Sequence, residues 1–240
     1  IKEGYLAVTL CWLVLCLAGT LPYVISHTIP GFVNCLFETV SGFTTTGASI
    51  LTNVEILPKS VLFWRSLTHW IGGIGIILLV IIILPTLKVG GYNLFSLESS
   101  LKEKILPKTK SIATRMLMIY VALTFIETLL LCLGRMPLFD SLCHSFGTIA
   151  TGGFSTKNTG ISGYSPYIQY VIAIFMFLAA TSYIVFYYLV KGNFKKVKSN
   201  EEFGFYILFT SVCVVIVTLL LFFKTDRSFE LSFRDSLFQV

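Results

Sequence analysis

Two short runs of small residues ending in glycine stand out as groups able to do chemistry: Thr44-Thr45-Thr46-Gly47 and Ile149-Ala150-Thr151-Gly152. Their Thr-Gly steps, Thr46-Gly47 and Thr151-Gly152, lie 105 residues apart. Such a run has two uses. Threonine and glycine cap short helices and turn the chain. Alternatively, a row of backbone carbonyls replaces the water around a cation without burying a fixed charge, and glycine permits backbone angles that a side chain opposes.

Other candidate groups are sparser. His69 and His144 invite a metal or proton-relay role, but neither has ligand partners near it in sequence, so both read as packing histidines. Cys11, Cys16, Cys35, Cys132, Cys143 and Cys213 form no CxxC pair, which leaves them as small apolar packing residues. HExxH, GxSxG and P-loop patterns are absent, and the GGIG at 72–75 lacks the third glycine of a dinucleotide fingerprint. Gly72, Gly73 and Gly75 instead let helices approach closely. Glu38 and Asp140 attract cations or bond loop amides. Glu127 interrupts an apolar run, where an ionisable group is a functional candidate with hydrogen bonding to a pore-loop backbone as its plainer use. An enzyme needs converging nucleophile, base or metal ligands. That requirement is not met, so neither an enzyme nor a bound cofactor is expected.

The elements that position these residues follow from composition. Across 240 residues, 55% are hydrophobic and only 12% charged, with mean hydropathy +0.83. An ordinary soluble domain carries roughly 25% charge, and disorder requires low hydropathy, so both are excluded. The chain reads as an all-α, multi-pass membrane protein. Stretches free of Asp, Glu, Lys and Arg predict spans at 4–26, 61–85, 166–190 and 203–223, with a fifth at 112–133 containing Arg115 and Glu127. The first is too long for a cleaved signal peptide. Lysines gather at 88–110 and 191–198, so the positive-inside rule places 86–111 and 191–202 in the cytoplasm, and 27–60 and 134–165 outside. This also accounts for the net charge of +6 without nucleic acid as a partner. The sequence opens at Ile1 and stops at Val240 inside an apolar stretch, so an internal piece of a longer protein is expected.

Both external connections contain an apolar segment too short to span, at 30–43 and 137–147, each leading into a Thr-Gly run. Such segments read as re-entrant, and irregular backbone at membrane depth is tolerated only where protein buries it or a wet cavity is lined. Span, short helix, strand and span therefore occur twice. A third copy begins with 203–223 and the segment 229–240, whose SLFQV echoes CLFET at 35–39.

SGFTTTGAS at 41–49, HWIGGIGIILL at 69–79, LPTLKVGGYNLF at 84–95 and IATGGFST at 149–156 closely resemble the Trk/Ktr/HKT potassium transporters, the bacterial Trk branch most of all. The resemblance implies four helix–pore loop–helix repeats in the complete chain, arranged with pseudo-fourfold symmetry as in potassium channels. This chain would then hold the second repeat (1–95), a cytoplasmic connection (96–111), the third repeat with its cytoplasmic tail (112–202), and the start of the fourth (203–240). Two re-entrant copies together with the resemblance decide between the two uses of the Thr-Gly runs. The backbone carbonyls of Thr44, Thr45, Thr46, Gly47, Ile149, Ala150, Thr151 and Gly152 are the expected ligands of a transported potassium ion. The channel pentapeptide TVGYG is absent, in keeping with the single filter glycine of this family.

The resemblance further implies an intramembrane gate in the third repeat. Ala179-Ala180-Thr181-Ser182 stand at mid-membrane, where 61–85 has glycines, and small hydroxylated residues permit a broken helix. Departure from ideal helix is therefore expected over 178–183. Implied partners are membrane lipid, a second copy of the complete protein, and a cytoplasmic nucleotide-binding regulatory subunit meeting 86–111 and 191–202. The implied location is the bacterial inner membrane. The competing reading is a membrane-embedded enzyme or an interaction scaffold with no ion pathway.

Overall fold

A computed structural model describes residues 2–87 and 105–240. Residues 88–95 of the LPTLKVGGYNLF match and the basic residues Lys88, Lys102 and Lys104 lie outside the described residues. Every regular element among the described residues is a helix. They are α1 (Lys2–Ile25), α2 (Phe32–Phe43), α3 (Lys59–Leu87), α4 (Ile105–Leu133), α5 (Leu138–Ile149), α6 (Pro166–Ala179), α7 (Tyr183–Val190), α8 (Phe194–Lys198), α9 (Glu201–Lys224) and α10 (Phe229–Gln239). Among the described residues, Val8–Ile25, Thr114–Leu133 and Glu201–Lys224 are long and apolar enough to cross a membrane. Leu10, Leu13, Val14, Leu17 and Leu21 of α1 are exposed, as side chains facing lipid are.

One departure concerns element bounds: α4 starts at Ile105, so part of the connection expected to end at 111 is helical. The span over 166–190 is two helices separated at Ala180–Ser182, within the 178–183 stretch where a departure from ideal helix is expected.

The units repeat in backbone detail. α1 and α4 end in the same turn, with His27 (φ 50°) and Arg135 (φ 66°) both left-handed. Buried threonines fall alike on the two helices, Thr20 Oγ1 donating to the Cys16 carbonyl and Thr128 Oγ1 to that of Thr124, at 2.8 Å each. The short helices share a second device, because a small hydroxyl bonds back one turn in all three. Thr39 reaches the Cys35 carbonyl, Ser145 that of Ser141, and Ser236 that of Ser232. A third short helix, α10, follows the long helix α9, as the start of a third copy requires.

Packing joins the copies. α2 lies against α1 and α3, and α5 against α4 and α6; α3 also packs on α5, and α6 packs on α10. Each inner helix therefore supports the short helix of the next unit. Lipid gives helices little hydrophobic reason to associate, so close approach through small residues does much of the joining. A Cβ on Gly72 would collide with the carbonyl of Phe43, where α2 ends. Gly72→Leu should cost roughly 1–3 kcal/mol through overpacking. The expected result is a lower yield of monodisperse full-length protein after detergent extraction; a wild-type yield would contradict this contact.

Candidate ion-binding strands

The residues after α2 and α5 adopt one backbone in both copies. Thr44 (φ −81°, ψ 1°) matches Ala150 (φ −79°, ψ −3°). Thr45 and Thr151 are left-handed at φ 54°, and Gly47 and Gly153 at 76° and 91°. Hydrogen bonds agree: Thr45 N–H donates to Gly42 and Thr151 N–H to Thr148, then Thr46 to Ser41 and Gly152 to Gly147. The spacing is therefore 106 residues rather than 105. Ile149 closes α5 as its last helical residue, and Gly153 occupies the position of Gly47. The Thr-Gly steps mislead by one because two adjacent glycines offered a false match. Gly152 is small for a different reason: a Cβ there would collide with the His69 ring.

Left-handed residues at every second position turn successive peptide groups to the same side, whereas an extended strand alternates them. A β-branched residue at positive φ is an outlier, with a cost of order 1–3 kcal/mol. That two threonines carry it at matching positions shows the conformation is imposed by the surroundings. The Gly152 carbonyl oxygen lies so close to Gly47 that a Cβ on Gly47 would collide with it. The two strands are neighbours.

Buried groups brace both strands from behind. Glu38 and Arg65 are 0% and 3% exposed, and Arg65 Nε donates to Glu38 Oε1 at 2.6 Å. Glu38 also accepts from the Ser49 hydroxyl at 2.9 Å and the Ile50 amide at 3.0 Å. It therefore bonds the loop and is not open to attract cations. Ser41 Oγ donates to the Ala48 carbonyl at 2.5 Å. Asp140 accepts from Thr156 Oγ1 at 2.7 Å, behind the second strand. Beside it Tyr164, in the loop before α6, has its phenol pushed up to about 12 by burial and then by Asp140, so it stays protonated.

Arg65 and His69, one turn apart on α3, grip Phe154: the guanidinium lies 3.6 Å from the ring centroid and the imidazole 3.9 Å. His69 thus packs, as its sequence suggested. His144 faces the Tyr164 ring at 5.8 Å. Above the strands, Asn158 joins the two units by accepting from the Val54 amide and donating to Asn53 Oδ1. Glu127 is fully buried on α4 beside the Thr148 side chain. The matched turns place it where α1 has Gly19. Among the described residues, no group of three His, Cys, Asp or Glu side chains forms a metal site.

Ala179, Ala180, Thr181 and Ser182 are together at the α6–α7 break. Ala179 ends α6, Ala180 has φ −80° and ψ −8°, and Ser182, with ψ 131°, leads into α7. Buried Thr181 donates its hydroxyl to the Phe177 carbonyl at 2.9 Å, and Tyr206 of α9 donates to the same oxygen at 3.2 Å, its ring stacked on Phe177.

Paired long helices enclosing a short re-entrant helix and an irregular braced strand define a helix–pore loop–helix membrane protein. The TrkH cation transport protein family matches residues 1–238, and the chain belongs to that family. Among similar proteins, the Trk system potassium uptake protein TrkH of Salmonella typhimurium is 41% identical over 247 residues, covering all of this chain and 51% of that protein. The Trk system potassium uptake protein TrkG of Escherichia coli K12 is 30% identical over 223 residues, covering 90% of this chain and 46% of its own length. The crystal structure of the potassium transporter TrkH from Vibrio parahaemolyticus matches with TM-score 0.88 at 31% identity, covering 100% of this chain and 50% of that one. The chain thus spans about half the length of the relatives it matches.

Proposed function

We propose that this chain supplies two walls of a potassium-uptake pathway across a bacterial inner membrane. Carbonyls of Thr44–Gly47 and Ala150–Gly153 replace the ion's water, and Ile149 is the last residue of the short helix before them. The observation that carries the reading is the alternating left-handed backbone at Thr45, Gly47, Thr151 and Gly153, which presents a row of carbonyls on one side. Ala179–Ser182, at the break between α6 and α7, serve as the gate. Potassium is cargo, and no resident cofactor is needed for a carbonyl-lined path. The unit boundaries 1–95, 112–202 and 203–240, dimerisation of the complete protein, and a cytoplasmic nucleotide-binding regulator at the loops 86–111 and 191–202 complete the proposal.

The test is rubidium uptake by potassium-starved cells lacking their own uptake systems and expressing the full-length protein. Uptake that potassium suppresses is expected. Correctly inserted protein that gives no uptake above the empty vector would contradict the proposal and favour a scaffold.

A further inference from the structure

We propose that Arg65 and Glu38 form a positioning pair that sets the separation of two neighbouring filter strands, and through it the preference for potassium over sodium. The proposal rests on the filter reading above.

The pair links equivalent points. Glu38 holds Ser49 through its hydroxyl and the following residue, Ile50, through its amide. Arg65 holds Glu38 through Nε and, through Nη1, the carbonyl of Ser155 at 3.0 Å. Ser49 and Ser155 are the same position in the two strands, each two residues beyond the left-handed glycine. A continuous chain of charge-assisted hydrogen bonds thus runs from one strand to the next. Because Arg65 lies on α3 of the first unit, the chain crosses the boundary between units. The guanidinium also covers the ring of Phe154, the residue between Gly153 and Ser155.

Energetics favour a geometric role over a stabilising one. Two charges this deeply buried lose hydration that their attraction barely repays, so such a pair is a poor source of net stability. Its directionality is another matter. The planar guanidinium fork offers donors at fixed angles and reaches two acceptors at once, which a lysine ammonium does not reproduce. The second short helix carries no acid at that position: His144 stands where Glu38 does and packs on Tyr164, while Asp140 bonds within its own unit. Selectivity depends on the number and field strength of the carbonyls around the ion. A brace between strands sets how closely those carbonyls approach.

The test uses the full-length protein reconstituted in vesicles, with rubidium influx measured in competition with sodium and with potassium. Three variants are compared: Arg65→Lys, the doubly uncharged Glu38→Gln/Arg65→Met, and Phe154→Leu. The last leaves both charges paired and keeps the test open if the charge variants fail to fold. Arg65→Lys and the double variant should lower the potassium preference about tenfold or more, which corresponds to about 1.4 kcal/mol, and Phe154→Leu should lower it by less. A merely structural pair would reduce the yield of folded protein and leave the preference of the folded fraction unchanged. Wild-type preference in every variant that folds overturns the proposal. If Gly47→Ser loses preference in the same assay, the filter reading survives that result; if Gly47→Ser also keeps it, both fail.

Discussion

Full-length protein carrying Gly47→Ser should still insert and conduct, but admit sodium about tenfold more readily relative to potassium, a change of about 1.4 kcal/mol in relative affinity. Two independent penalties act at this position. The backbone sits at φ 76°, where an added side chain costs roughly 1–2 kcal/mol. The new Cβ would also meet the Gly152 carbonyl oxygen of the neighbouring strand, so relief at Gly47 displaces a carbonyl on the second wall as well. Ala48→Ser, one residue beyond, adds only a hydroxyl to an existing Cβ and should matter far less. Rubidium influx with sodium and potassium as competitors separates the two variants. Wild-type preference in Gly47→Ser would reduce this glycine to a turn residue.

The second large effect is expected at the helix break. Deleting Ala180–Ser182 from the full-length protein should raise ion flux. If the obstructing arrangement is favoured by about 1.4 kcal/mol, the rise is about tenfold. The break is held from two sides, because the Phe177 carbonyl accepts both the Thr181 hydroxyl and the Tyr206 hydroxyl. Tyr206→Phe removes one of these bonds, keeps the stacked ring, and should raise flux by a smaller factor. Unchanged flux in vesicles for both variants would show that the break does not control the pathway.

The architecture was readable in the sequence because a bilayer constrains it so strongly. Charge-free stretches of fixed length announce the spans, and apolar segments too short to cross announce the re-entrant helices, which fall at Phe32–Phe43 and Leu138–Ile149. The register of the strands was less readable. Matching Thr46-Gly47 to Thr151-Gly152 compares residue names, whereas the backbone aligns where the helix ends and where φ turns positive. The left-handed threonines Thr45 and Thr151 carry no sequence mark, since threonine is ordinarily unsuited to that region.

Arg65 was hidden by its charge. A lone arginine at the outer end of a span reads as one more surface cation, yet in three dimensions it is 3% exposed and bridges two units. A signal existed, for Arg65 lies one turn before His69 on an otherwise uncharged helix stretch, and Glu38 is the lone acid of its short helix. Glu38 itself was read correctly in one of its two uses, bonding a loop amide. Among the described residues Glu127 bonds no pore-loop backbone, and it lies buried beside the Thr148 side chain.

The central claim is that carbonyls of these two strands bind the transported ion, and rubidium locates such an ion directly. Crystals of the full-length protein grown in rubidium should show anomalous peaks within the pathway, flanked by the carbonyls of Thr44–Gly47 on one side and Ala150–Gly153 on the other. Rubidium found only elsewhere, with both strands in place and no peak between them, would contradict the account.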